Sequence, residues 1–142
     1  MNITDIDFGR LYRSHYVAAN MTPKSPDTWD QRAAEMSGRV RKSRYTDEFI
    51  DRMDLAGADM LLDIGCGAGT ICLPLADRLR RVIGLDFSQR MLDGLLDNAA
   101  ALGHDNVEAL RLAWEDDWSA VPACDIEAAL HKLHDKAKRR SR

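Results

Sequence analysis

Leu61-Leu-Asp-Ile-Gly65-Cys-Gly67-Ala-Gly69-Thr70 is the stretch that decides the fold. A short apolar run, Met60–Ile64, predicts a strand. It ends beside an acid and passes into three glycines at alternate positions. Glycines there let a backbone turn tightly and approach a ligand closely. Thr70–Leu79 then places Ile71, Leu75, Ala76 and Leu79 at helical spacing. The N–H groups at such a helix start favour negative charge. Further on, Arg81-Val-Ile-Gly-Leu-Asp86 predicts a second strand. Ser88 can cap a helix from Gln89 to Leu102, with Met91, Leu92, Leu95, Leu96 and Ala99 on its buried face and Gly103 as its stop. Val107–Leu112 predicts a third strand. This alternation predicts an α/β fold, a parallel sheet with helices on both faces.

The glycine spacing is G-x-G-x-G. A dinucleotide loop of the G-x-G-x-x-G type needs its third glycine where Thr70 stands, which disfavours NAD. Asp86 ends the second strand, where a carboxylate can accept bonds from two ribose hydroxyls. The bland reading is an ordinary strand-to-helix turn. The strand, Asp63, three glycines, helix and strand-end Asp86 together make that reading the weaker one.

Leu61–Thr70 followed by Val82-Ile-Gly-Leu-Asp-Phe-Ser88 resembles the class I S-adenosylmethionine-dependent methyltransferases, over roughly residues 29–118. The resemblance implies a Rossmann-like sheet and S-adenosylmethionine as cofactor. It implies that Asp63, Gly65, Cys66, Gly67 and Gly69 contact the methionine part. It gives Asp86 the ribose hydroxyls, and Phe87 and Met91 a place near the adenine. The family's Asp-Ala-Glu segment after strand three corresponds to Ala113-Trp114-Glu115-Asp116. Its acid falls on Ala113, so that contact is lost or passes to Glu115 or Asp116. The Trp114 N–H could bind the ring edge and its indole cover it. No catalytic residue is assignable, because a general base is needed only when the acceptor must lose a proton.

Upstream, residues 6–19 place Phe8, Leu11, Tyr12, His15 and Tyr16 at helical spacing. Pro23 and Pro26 mark a loop, and a helix runs through Trp29–Arg41. Thr46 opens another helix, with Phe49, Ile50, Met53 and Leu55 as its apolar face and Gly57 as its cap. By resemblance, Trp29-Asp-Gln-Arg-Ala33 is a lid helix. Tyr12, His15, Trp29 and Tyr45 are then either substrate-pocket residues or helix-packing aromatics and a half-exposed His.

Downstream, Pro122-Ala-Cys-Asp125-Ile126 reads as the start of a fourth strand. Ile126, Leu130, Leu133 and Ala137 then lie at helical spacing, as if the next helix were joined on without that strand. Relative to the family's seven strands the sheet is incomplete. The chain divides into a lid segment (1–45), a cofactor-binding core (46–126) and an amphipathic helix with a basic tail (127–142). The apolar strand left with an open edge predicts association into a homo-oligomer.

The 142 residues and net charge of −3 suit one globular domain with enough apolar material for a core. No apolar run reaches the roughly 20 residues that span a bilayer, and the acidic start lacks a secretory pattern. Three cysteines (Cys66, Cys72, Cys124) form no disulfide framework, which fits the cytoplasm. Residues 132–142 carry +5 against −8 in the rest of the chain. Without interleaved aromatics that tail reads as a solvated helix end, which argues against a nucleic-acid partner. His131 and His134 lack a third ligand, so no metal is expected. The reading is methyl transfer to a small-molecule acceptor, or else a non-catalytic S-adenosylmethionine-binding or protein-interaction module.

Overall fold

The computed structural model describes residues 7–22, 24–37 and 44–127. Three helices come first: α1 (Phe8–Ala18), α2 (Pro26–Ser37) and α3 (Arg44–Asp51). Asp7 caps α1 by accepting the Arg10 N–H at 2.8 Å. The α/β part follows as β1 (Met60–Ile64), α4 (Cys72–Leu75), β2 (Arg81–Asp86), α5 (Gln89–Leu102), β3 (Val107–Arg111) and β4 (Ile126–Glu127). The sheet order is β3-β2-β1-β4, and every pair is parallel.

The two faces of the sheet follow the period of two along each strand. Leu61 and Val82 pack with Leu73, Leu75, Leu92 and Leu95 of the helices. Burying each such side chain contributes about 1.5–3 kcal/mol. The opposite face holds Leu62, Ile83 and Leu85, packed by Leu110, Trp118 and Val121. Among the described residues that second face is therefore covered by the irregular segment after β3, not by a helix.

Ser88 caps α5 by accepting the Met91 N–H, and Gly103 ends it at φ 78°. The buried stripe is Met91, Leu92, Leu95 and Ala99, while Leu96 is 43% exposed, contrary to expectation. The helix expected over 70–79 shrinks to α4. Pro74 has no N–H to give to Thr70, and Ala76 and Arg78 turn back on Leu73 and Leu75 through i to i−3 bonds. Likewise α3 stops at Asp51, short of Met53 and Leu55.

Among the described residues strand four is present rather than missing: Ile126 pairs with Leu61 and Glu127 with Leu62. Glu127, expected in the terminal helix, thus belongs to the sheet. The edge of β1 is covered over those two residues, which weakens the premise of an open edge for self-association. Asp125 secures the junction, its Oδ2 accepting the Asp59 and Met60 N–H groups at 2.9 Å each. The expected helix over 128–138, the basic tail, His131 and His134 lie outside the described residues. No helix among the described residues is long and apolar enough to cross a membrane.

Candidate functional site

Sheet order reverses at β1, since β2 lies on one side of it and β4 on the other. In open parallel sheets such a switch point leaves a crevice at the carboxyl ends of the strands, where ligands bind. The glycine loop leaves β1 at that point. Gly65, Gly67 and Gly69 adopt φ of 72°, 55° and 103°. At Gly69 a Cβ would also sit 2.6 Å from Leu73 and 2.8 Å from Leu95, so glycine is required twice over. At Gly67 a Cβ would meet nothing nearer than Met91 Sδ at 3.9 Å, so space stands open over the loop.

The loop is clamped from beneath. The Gly65 and Cys66 N–H groups donate to Leu85 O at 2.6 and 3.0 Å. The Gly67 N–H donates to Asp86 Oδ2 at 2.9 Å, and the Ser88 N–H to Asp86 Oδ1 at 3.0 Å. Asn98 of α5 donates to Ala68 O at 3.1 Å. Asp86 is 6% exposed, a carboxylate fixed in orientation by two backbone amides. Gly84 completes the packing, because a Cβ there would strike Leu95 and lie 2.9 Å from Cys66 Sγ.

Asp63 is wholly buried below the loop. Burial, and then the neighbouring Asp63 carboxyl, push the Cys72 thiol well above its ordinary pKa. Both cysteines of this region, Cys66 and Cys72, are buried. Cys72 is therefore a packing residue and no nucleophile.

Beside Asp86 opens a cavity of about 230 Å³ lined by Pro26, Phe87, Arg111, Ala113 and Asp116. Arg111 Nε donates to Phe87 O at 3.2 Å, so one side chain joins the ends of β2 and β3. Asp116 Oδ2 accepts the Ala113 N–H at 2.7 Å. Of the two acids named for this place, the structure puts Asp116 on the cavity. Glu115 turns away to Arg13 of α1 at 3.5 Å. The Trp114 indole also turns away. It stacks on Trp118 at 5.2 Å and lies 6.3 Å from Tyr12. Neither is among the residues that line this cavity.

Of the four candidate pocket residues, Tyr12, His15 and Trp29 are not among those lining that cavity. His15 is exposed beside Tyr16. Trp29 has Lys24 and Arg32 over its ring at 5.4 and 5.5 Å. Burial and a bond with Tyr16 hold the Tyr12 hydroxyl above its ordinary pKa, so it stays neutral. Tyr45 lies on α3. Sequence reasoning missed Asn98, Arg111 and Asp30. Asn98 and Arg111 carry one signal: a polar or charged residue in an otherwise apolar helix or strand period.

Residues 61–140 match the family model described as a methyltransferase domain. An uncharacterized protein of Haemophilus influenzae is 33% identical over 154 aligned residues, covering 99% of this chain and 58% of that protein. A tRNA/tmRNA (uracil-C(5))-methyltransferase of Ectopseudomonas mendocina is 43% identical over 58 residues, which are 41% of this chain and 16% of that protein. The chain thus spans less than two thirds of either relative's length. Among solved structures, a putative methyltransferase in complex with the Haloferax volcanii Trm112 activator aligns at TM-score 0.53 and 25% identity. That alignment covers 71% of this chain and 43% of the other. The Bacillus YcgJ protein aligns at TM-score 0.52 and 24% identity, covering 58% of this chain and 36% of its own, and shares the fold.

Proposed function

The chain belongs to the methyltransferase-domain family, and from that premise we propose that it is the cofactor-binding part of an S-adenosylmethionine-dependent methyltransferase acting on a small molecule. The observation that carries this is the glycine loop pinned to Asp86 at the switch point of the sheet. The residues fit the cofactor. A ribose diol would donate to the oxygens of Asp86, which two amides already orient. Carboxylate oxygens accept more than one bond each. Phe87 and Ala113 offer apolar surface to an adenine, and Asp116 can accept from its amine. The methionine part would lie over the open side of Gly67.

When bound, S-adenosylmethionine supplies a methyl group on a sulfonium centre. The chain's own contribution is positioning. Methyl transfer is an in-line displacement, and holding both reactants in line in a dry site supplies much of the rate. The clamped loop serves that end.

Titration calorimetry with S-adenosylmethionine, S-adenosylhomocysteine and NAD tests the proposal. Heat with the first two and none with NAD is expected; silence with all three would sink it. A non-catalytic binding module is the second reading, favoured by the helical spacing of Leu130, Leu133 and Ala137 in the sequence where an acceptor-side loop would follow strand four. Cofactor binding without methyl transfer to any acceptor would favour it. RNA is an acceptor for a relative matched over 58 residues only. The −3 net charge weighs against broad phosphate contact here.

A further inference from the structure

Asp30 sits on α2 and faces the start of α5, 58 residues later. Its Oδ1 accepts the Ser88 hydroxyl and, at 3.3 Å, the Arg90 N–H. Ser88, wholly buried, already caps α5, because its Oγ accepts the Met91 N–H at 3.2 Å. Asp30 shares in that cap through the Arg90 N–H. Beyond the cap it makes a connection. The Ser88 N–H holds Asp86 Oδ1, and Asp86 Oδ2 holds the Gly67 N–H. A continuous path of hydrogen bonds runs from α2 through the end of β2 to the middle of the glycine loop. An anion at the positive end of α5 is favourable in itself. Bonds to a charged acceptor are about twice as strong as neutral ones.

We infer that Asp30 is a positioning residue, which couples the docking of α2 to the shape of the glycine loop through Ser88 and Asp86. Without it, the Ser88–Arg90 backbone at the start of α5 is held less firmly, the Ser88 N–H then orients Asp86 from a looser backbone, and the Gly67 turn loosens. Coupling between two sites is reciprocal, so a ligand on the loop also tightens α2 onto α5. The effect on ligand affinity rests on the function proposed above; the effect on the loop does not.

Amide hydrogen exchange on the full, unliganded chain reads the loop directly. Asp30→Ala should raise exchange at Gly67 and Ser88 about tenfold over the rise at Leu62 and Ile83 in the sheet. Asp30→Asn keeps a neutral acceptor and should give a rise of about threefold. Dissociation constants for S-adenosylhomocysteine should weaken in the same order, about tenfold and threefold. Wild-type exchange at Gly67 in the alanine variant would overturn the inference, and so would a uniform rise across the strands. Should the alanine variant fail to fold, the asparagine variant decides by the same criteria. Should the wild-type chain bind no S-adenosylhomocysteine, the proposed function falls while exchange still decides this coupling.

Discussion

At the ends of β1 and β2 the backbone is held by residues far away in sequence, whereas the hydrogen bonds of the turn over 113–119 run between near neighbours. Gly67 is bonded across 19 residues, Ala68 across 30 and Ser88 across 58. After β3, Ala113 is bonded to Asp116 and Trp118, and Ser119 to Asp117. The first region is buried and held by several hydrogen bonds from distant residues. The second is an exposed turn lying against the same cavity. Preorganisation lowers the cost of binding, so the glycine loop should dominate affinity and the β3 turn should tune it.

The largest expected effect is at Gly69. Gly69→Ala combines φ 103° with a Cβ driven into Leu73 and Leu95. It should destabilise by about 3 kcal/mol or more, read from urea unfolding. Gly103→Ala has φ 78° but open space around it, and should cost about 1–2 kcal/mol. Equal costs at the two sites would show that packing under the loop is slack, and the contrast drawn above would fail.

Asp86→Asn comes next. The amide must turn an NH2 toward one of two backbone N–H donors, Gly67 or Ser88. The loss should be about 1–3 kcal/mol in stability. S-adenosylhomocysteine should bind at least about tenfold more weakly by calorimetry. In the β3 turn, Asp116→Asn should weaken binding by only about threefold, and Glu115→Gln by less than about twofold, since exposed ion pairs are worth about 0–1 kcal/mol. An Asp116 effect as large as that of Asp86 would put the affinity in the turn instead.

What the sequence disclosed divides along the same line. Met60–Ile64, Arg81–Asp86, the Ser88 cap and the Gly103 stop are local signals, because caps, turns and periods act within a few residues. They agree with the structure residue for residue. Asp30 could not be found that way. An acid in the first turns of a helix reads as a solvated end, and only the packing of α2 on α5 gives it Ser88. Trp114 and Glu115 were drawn toward the cofactor by the resemblance. The structure sends them to α1, because Tyr12 and Arg13 offer an aromatic face and a charge there. Strand four is legible only as a beginning, since helical spacing already takes over from Ile126 in the sequence.

The smallest expected effect separates long from short connections by acid titration. The Asp59 and then the Met60 N–H hold the Asp125 carboxyl below its ordinary range. The Ser119 N–H and then its hydroxyl do the same for Asp117. A group whose folded pKa is depressed contributes stability above its unfolded pKa and loses it as pH falls through the folded value. Only the difference from the unfolded chain counts. Asp125 must reach across 66 residues to Asp59, a contact that unfolding abolishes, while Asp117 bonds a residue two places on, which an unfolded chain can still form. Comparing urea midpoints near pH 6 and pH 3, Asp125→Asn should approach the wild type as pH falls. Asp117→Asn should keep a nearly constant, small offset. Convergence of both variants would mean that the Asp117 turn is as dependent on folding as the β1–β4 junction, and that the local character of the β3 segment is only apparent.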